Sequence, residues 1–436
     1  MTRGRRGLYR EGARWGKIVE DAPAMSVSRN DRETLRGLAR KVAEIAALPV
    51  QQETIRLWKA LNGLKPVRPM VMIDQLPWHE MEVGDELALR TEDEFCRRIE
   101  STLRRTLYSW CHMRADMVVE PVVEIPKVIH GEGFGLPILQ HIAVTDPESD
   151  VVGHAYVDQL ETEDDLRKIR MPEVRLDEKA TAEAEEKAQN ILGDVLTVRM
   201  QGRFPVFAPW DIIVQWRSPE HLILDLVDRP EFMHEMVARL TEAHLSLLDQ
   251  LERGGLLGFG QSTIHCTGAY SDELPAPGFD PARPRPKDLW TYGMAQVFST
   301  VSPAMHEEFW LSYATRWFSR FGLGYYGCCE PLHEKVDIIR QLPHVRKISM
   351  SPWVDVAKGA ERIGREFVFS RKPSPALLAG DAWAPDRVES DLRETLDQCQ
   401  RHGCPLEFIL KDVSTVRYQP QRLWEWAEIA MRVVGR

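Results

Sequence analysis

The sequence predicts an α/β protein with a (β/α)8 TIM barrel and an N-terminal helical extension. Two observations predict this class: an apolar run at residues 70–74 is typical of a first buried strand, and from residue 302 onward short apolar runs alternate with helical ones. Such alternation indicates a parallel sheet, and units that continue to the end of the chain favour a barrel over an open sheet. We therefore divide the chain into a tail with a helical extension, residues 1–64, and a barrel domain, residues 65–436.

The first hundred residues predict helices that pack on the later core. Apolar residues recur at helical spacing from Asn30 until Pro49, and a second helix is predicted at residues 53–61. A charged amphipathic helix is predicted between residues 82 and 110. The arginine-rich start, residues 3–10, is interpreted as a loose tail.

The middle of the chain is the least regular part. Residues 117–125 resemble a strand but contain a proline, which favours an irregular or edge segment. Residues 158–192 are highly charged and predict a solvent-exposed helical segment outside the barrel. Two helices are predicted within residues 222–251, and a strand is predicted at residues 256–263.

The last third of the chain has the most regular pattern. Strands are predicted at residues 323–326, 345–349, 366–370 and 406–411. Helices are predicted at residues 304–320, 332–341, 354–363, 388–402 and 420–434.

The composition excludes several classes of protein. A net charge of −10 and a pI near 5.8 argue against nucleic-acid binding, which needs a basic surface. No apolar run reaches the roughly 20 residues of a membrane helix, so we expect a cytoplasmic protein without a membrane partner. Seven scattered cysteines, two of them adjacent, do not resemble a disulfide framework.

Catalytic groups of a barrel come from the carboxyl ends of its strands and the loops beyond them. The predicted strand ends carry a set of polar and thiol side chains: Asp74, His265, Cys266, Cys328, Cys329, Glu330, Ser349, Ser351, Trp353, Ser370, Arg371, Lys372, Lys411 and Asp412. We expect these residues to converge on one mouth.

The adjacent cysteines predict a metal site, because cysteine thiolates bind zinc well. Neighbours on a strand face opposite sides, so one cysteine is expected to bind and the other to pack, unless the chain has already turned at Gly327. We favour Cys329 as the ligand, with Glu330 or His265 as companions and Cys328 as a further candidate. The alternatives are a buried structural cysteine pair and a histidine whose hydrogen bonds are satisfied in the core.

Other strand-end residues predict acid–base and binding roles. Asp412 directly follows a strand and suits a metal ligand or general base, with a lid-fixing role as the alternative. Arg371 and Lys372 suit an anionic group, with a salt-bridged barrel rim as the alternative. Trp290 and Trp353 are candidates for an aromatic-lined substrate pocket. Ser351 is a further candidate for that pocket.

Four segments carry a resemblance to a known family: RPEF at residues 229–232, SPAMHEEF at 302–309, GCCE at 327–330 and PQRLW at 420–424. In their order and spacing they resemble the uroporphyrinogen decarboxylase-like superfamily over residues 65–436. The strand at 68–76 lacks the arginine-rich signature of the true decarboxylase, and the chain looks nearer to the corrinoid-dependent zinc methyltransferases. The resemblance implies a (β/α)8 barrel.

That methyltransferase branch has His-x-Cys on the strand matching residues 323–329 and a second cysteine after the last strand. Here Cys329 matches, Gly327 stands where the histidine would be, and KDVS at 411–414 holds no cysteine. If zinc binds, the resemblance implies that Cys328, Glu330, His265 or Asp412 completes its ligands.

The resemblance also implies an activity. A methyl group would move between a small methylated substrate and a corrinoid, as in methylcobalamin, carried by a partner protein. Zinc would act as a Lewis acid, Asp412 or Glu330 would act as ligand or general acid, and the chain would form a homodimer. The alternative enzyme is a carboxy-lyase for a small carboxylated substrate, held by Arg371 and Lys372. A corrinoid- or tetrapyrrole-binding module is a third hypothesis.

Overall fold

Parallel strands form the centre of the protein. The computed structural model describes residues 27–144, 152–260 and 262–435. Its parallel strands are β1 (Met70–Ile73), β2 (Val122–Pro126), β3 (Thr197–Gln201), β4 (Trp290–Gly293), β5 (Leu323–Tyr326), β6 (Val345–Met350), β7 (Val368–Arg371) and β8 (Leu406–Leu410). Six of them form one continuous parallel sheet in the order β1-β8-β7-β6-β5-β4. The predicted α/β class with a parallel sheet is confirmed.

The remaining two strands lie between β1 and β4. Strands β2 and β3 pair in parallel along their full lengths. Beyond β3, Phe207 forms an isolated parallel bridge with Gly293 of β4. On the other side, the Asp116 amide donates to the Val71 carbonyl of β1, 3.1 Å away. The strands thus follow the predicted barrel order, but single contacts, not a continuous ladder, join the two ends of the sheet within the described residues.

Helices cover the sheet. Their bounds are Arg29–Ala46, Pro49–Asn62, Glu94–His112, Glu178–Leu192, Pro209–Ile213, Pro219–Asp228, Pro230–Arg253, Pro303–His306, Ser312–Phe318, Val336–Ile339, Val356–Ile363, Ala376–Ala379, Pro385–His402 and Gln421–Val433. A π-helical turn, Glu307–Leu311, joins two of them. Across the described ranges, no helix combines the length and the apolar character needed to cross a membrane.

The N-terminal helices pack where the sequence predicts them. Leu35 and Val42 of the first helix are buried in a cluster with Ile99 and Ile191, residues of two later helices. Trp58 of the second helix donates through Nε1 to the Asp116 carbonyl, 2.9 Å away, and so packs at the base of β1. The division at residues 64 and 65 stays a prediction, and the predicted loose tail lies outside the described residues.

Several predicted helices have different bounds: the helix predicted at 332–341 spans only Val336–Ile339, and the one predicted at 304–320 is interrupted by the π-helical turn. The helix predicted from residue 82 begins only at Glu94, because the Asp93 carboxylate caps it by accepting from the Cys96 amide. The charged segment 158–192 contains the helix Glu178–Leu192, as predicted. One face of that helix packs against the core through Ala188 and Ile191. Charge along a segment therefore did not prevent partial burial.

The strand predicted at residues 256–263 is wrong. Leu257 forms only an isolated bridge with Arg203. Further on, Thr263–Ile264 and Thr267–Gly268 pair as a short antiparallel hairpin whose turn residues, His265 and Cys266, have φ of 41° and 69°. A short apolar run cannot distinguish a barrel strand from another buried segment, which explains the error.

This hairpin fills the interior of the ring of strands. Its Ile264 and Cys266 side chains pack with Leu323, Tyr325 and Ile409. Its base is held at the amino-terminal half of the strands, because Thr267 Oγ1 donates to the buried Glu407 carboxylate, 2.7 Å away. Lys347 Nζ donates both to Glu407 and to the Gly268 carbonyl. The turn of the hairpin consequently reaches toward the carboxyl ends of the strands.

Candidate active site

The backbone turns sharply where β5 ends. Gly327 has a φ of 93°, and a Cβ there would lie 2.3 Å from Leu332 Cδ1, so this position requires glycine. Because of this turn, the Cys328 and Cys329 sulfurs lie on the same side, 3.6 Å apart. The structure therefore follows the alternative in which the chain has already turned at Gly327.

Two lysines hold Cys328. Lys411, directly after β8, donates through Nζ to Cys328 Sγ at 3.2 Å. Lys372, directly after β7, donates through Nζ to the Cys328 carbonyl at 2.8 Å, and Ser349 Oγ donates to the same carbonyl at 2.6 Å. Both lysines are buried. Two ammonium groups from neighbouring strands thus meet at one cysteine.

The contacts shift the pKa values of the two thiols in opposite directions. The hydrogen bond from Cys329 lowers the pKa of Cys328 well below its usual range, against the effect of burial, and the Lys372 ammonium lowers it further. The same hydrogen bond raises the pKa of Cys329. Burial opposes the charged form of Lys411, but Cys328, Cys266, Asp412 and Cys329 together more than compensate and raise the pKa of Lys411. These shifts favour the thiolate form of Cys328, the thiol form of Cys329 and the ammonium form of Lys411.

His265 reaches this site from the hairpin. Its ring stacks on Tyr292, with 4.7 Å between the ring centres, and lies 5.0 Å from the centre of the Tyr325 ring. Burial lowers the pKa of His265 to about 4, while the nearby Cys328 has the opposite, smaller effect. The imidazole is therefore neutral. Its buried Nε2 has no hydrogen-bond partner among the described residues.

Asp412 and Cys329 form the open side of the site. The Cys329 thiol donates to Asp412 Oδ2 at 3.6 Å, and the same carboxylate oxygen lies 3.3 Å from Lys411 Nζ. Asp412 is about half exposed, with 46% of its side-chain surface accessible, whereas Lys411 is almost fully enclosed. Solvent or substrate thus approaches from the Asp412 side.

Glu330 has a different position from the predicted one. Its Oε2 accepts from the Cys328 amide at 2.6 Å, and its Oε1 accepts from the Ala295 amide at 3.0 Å. The side chain is fully buried, and burial raises its pKa. Glu330 fixes the backbone of the cysteine turn instead of facing the mouth, because the turn at Gly327 reverses the direction in which the following side chains point.

The predicted substrate pocket is not assembled as expected. Arg371 donates to the Ser351 carbonyl and pairs with Asp391 on the helix Pro385–His402, 3.4 Å away, so it faces the helix layer and not the mouth. Trp290 begins β4 and donates to the Ala269 carbonyl, which places it at the opposite end of the barrel. Trp353 follows β6 and is 76% exposed.

Ser351 lies just beyond the carboxyl end of β6. It is buried, and its Oγ has no hydrogen-bond partner in the part of the chain that the structure describes. Lys411 stands at a predicted strand end, but the sequence pattern did not predict its role in the site. The signal for it is the alternation along β8, in which Glu407, Ile409 and Lys411 share the inward face.

The donors do not fit a zinc site. Within residues 27–144, 152–260 and 262–435, no three His, Cys, Asp or Glu side chains are grouped so that they could hold a metal ion. Of the predicted set, both oxygens of Glu330 are taken by amides, and the Cys328 sulfur accepts from Lys411. Catalytic zinc usually needs about three protein ligands, and the described residues do not provide them at this site.

Comparison with known proteins gives a likeness to solved structures. No protein-family model matches the sequence, and no curated protein matches it. Among solved structures, a methyltransferase from Methanosarcina mazei aligns with a TM-score of 0.48 and 14% sequence identity, over 86% of this chain and 97% of that one.

Proposed function

We propose that the chain is a methyltransferase that moves a methyl group between a small methylated substrate and a corrinoid carried by a partner protein. The contact between Lys411 Nζ and Cys328 Sγ, 3.2 Å, is the observation that carries the proposal on the structural side. The resemblance of four sequence segments to the corrinoid-dependent branch supplies the choice of reaction. Zinc, which the resemblance to that branch implies, has no part in the proposed reaction, because the donors do not fit it.

The site suits the departure of an anionic leaving group. When a methyl group is taken from oxygen, sulfur or nitrogen, the bonding electrons stay on that atom, which then needs positive charge or a proton. A fixed ammonium group at this position stabilises the developing charge and can donate the proton. The Cys328 thiolate and the Asp412 carboxylate hold Lys411 in place and charged.

The remaining groups complete this proposal. Asp412 and Cys329, on the open side, would face the substrate, and the corrinoid would approach the same carboxyl-end face, where Trp353 is exposed. The corrinoid is the second substrate in this reaction, so its carrier protein is part of the proposal. A cytoplasmic location and a homodimer belong to the proposal as well.

The test uses free cob(I)alamin as the methyl acceptor with a panel of methylated ethers, amines and thioethers. We expect at least one donor to produce methylcobalamin, followed by its absorbance spectrum, and the Lys411→Met variant to be slower by about 100-fold or more. Lys358→Met, an exposed helix position, is the matched control. The proposal fails if no donor reacts, or if Lys411→Met is as fast as the unmodified protein.

A carboxy-lyase is the second candidate, and one observation favours it. Lys372 and Lys411 present two buried ammonium groups from neighbouring strands, which suits a carboxylated substrate. Arg371, expected to share this role, faces the helix layer. Release of carbon dioxide from a panel of small carboxylates, lost in Lys372→Met, would select this candidate over methyl transfer.

A further inference from the structure

The closeness of the two adjacent sulfurs to each other has no part in the proposed catalysis. They lie 3.6 Å apart on one side of the turn. We propose that Cys328 and Cys329 form a reversible modification site, at which a small hydroperoxide such as hydrogen peroxide oxidises the pair to a disulfide between neighbouring residues.

The first step needs a nucleophilic sulfur and a small oxidant. The ammonium of Lys411, 3.2 Å from Cys328 Sγ, favours the thiolate form of this sulfur. The thiolate attacks one oxygen of the peroxide, the O–O bond breaks, and hydroxide leaves to become water after protonation. Cys328 becomes a sulfenic acid. Since Cys328 is only 1% exposed, the oxidant must be small.

The second step needs a neighbouring thiol and a base. Cys329 already donates to the Asp412 carboxylate at 3.6 Å, so Asp412 is placed to take its proton. The Cys329 sulfur attacks the sulfenic sulfur, the S–S bond forms, and the S–O bond breaks. The departing oxygen leaves as water. Two thiols and one peroxide thus give one disulfide and two waters.

The product is easily reduced. Disulfides usually join Cα atoms about 4.4–6.8 Å apart, whereas neighbouring residues are held at about 3.8 Å. A disulfide under such strain is more readily reduced, which is typical of regulatory rather than structural disulfides. Its formation removes the thiolate that holds Lys411. The resulting loss of methyl transfer rests on the proposed function, but the disulfide itself does not.

The chain provides an internal control. Cys399 and Cys404 form a second close pair, in which the hydrogen bond between them raises the pKa of Cys399. This pair lies where a helix ends before β8, at the amino-terminal side of the sheet, and the Cys404 thiol donates to the Ala360 carbonyl. No lysine donates to either sulfur among the described contacts. The pair Cys399 and Cys404 therefore tests whether the proximity of two thiols is sufficient for oxidation to a disulfide.

The experiment treats the reduced, full-length protein with hydrogen peroxide and follows tryptic peptides by mass spectrometry. Residues 321–335 form one tryptic peptide with both cysteines. We expect this peptide to lose two hydrogens, to resist alkylation, and to regain both thiols with dithiothreitol. Phenylarsine oxide, which bridges two nearby thiols, is expected to bind the same peptide. This binding should be lost in Cys329→Ser.

Two outcomes overturn the proposal. One is a peptide that keeps both thiols, or that gains oxygen without losing two hydrogens, in the unmodified protein. The other is oxidation of Cys399 and Cys404 at the same rate, which would show general reactivity. In Lys411→Met, with folding checked by circular dichroism, disulfide formation is expected to slow about tenfold or more. Because the readout is a peptide mass, this result is independent of whether methyl transfer is found.

Discussion

Lys347 and Glu407 form an ion pair inside the ring of strands, with 2.7 Å between Nζ and Oε2 and both side chains completely buried. The pair joins β6 to β8, and Thr267 of the hairpin donates to the same carboxylate. The hairpin that carries His265 toward the thiols is thus held by charges at the other end of the barrel.

Removing one partner of this pair is expected to destabilise the protein strongly. Glu407→Gln leaves a buried ammonium group without its counter-charge, which costs about 3–5 kcal/mol of the free energy of unfolding. Urea denaturation measures this loss. The matched control is the double variant Lys347→Met with Glu407→Leu, which removes both charges and should cost less. A single variant as stable as the original protein would contradict the role of the pair.

Gly327→Ala tests the turn that brings the two sulfurs together. A Cβ at this position would lie 2.3 Å from Leu332 Cδ1, and the φ of 93° disfavours alanine. We expect a loss of at least about 1–3 kcal/mol in the free energy of unfolding. Gly37→Ala is the control, since nothing lies within 4 Å of a Cβ on that helix position. Equal effects of the two substitutions would refute the argument.

The lowered pKa of Cys328 predicts an unusual pH profile of alkylation. A free cysteine has a pKa near 8.5, and its reactivity declines as the pH falls below that value. Cys328 should keep reacting with methyl methanethiosulfonate at lower pH, and lose reactivity only as pH falls through its own lowered pKa. Lys411→Met should move the profile to higher pH. Mass spectrometry of the peptide 321–335 measures the rate, with exposed Cys111 as reference.

Two buried histidines away from the site predict acid sensitivity of the fold. Burial lowers the pKa of His244 to about 4 and that of His306 to about 3. Since unfolded histidine titrates near 6.5, the unfolded state takes up protons that the folded state does not. Stability should therefore fall as pH decreases from about 6.5 toward 4.

Urea midpoints at pH 7.5 and pH 5.0 check this prediction. The variant His306→Gln removes one titrating group and should reduce the difference between the two midpoints. A difference that is unchanged in this variant would mean that other groups dominate the acid response.

The donor arrangement predicts little zinc. Protein purified without chelators should contain well under one zinc per chain, because Glu330 and Cys328 already have other partners. Metal analysis of the unmodified protein and of Cys329→Ser should give the same low content. One zinc per chain that disappears in Cys329→Ser would restore the metal-assisted form of the reaction.

The sequence by itself determined three strands in the last third of the chain. The predicted strands at 323–326, 345–349 and 406–411 agree with β5, β6 and β8 to within one residue at each end. Their apolar runs and the helical periods between them are local patterns. The same patterns placed Cys329 and Asp412 after strand ends, and the structure brings these two side chains together.

Only the tertiary structure decided which way the site residues face. The direction of Glu330 depends on a turn at Gly327, and that of Arg371 on contact with a helix twenty residues later in the chain. His265 reaches the mouth on a hairpin anchored by Glu407, far along the sequence. Neither the contact of the hairpin with Glu407 nor the turn at Gly327 produces a periodic pattern in the sequence. Each depends on contacts between segments that only folding brings together.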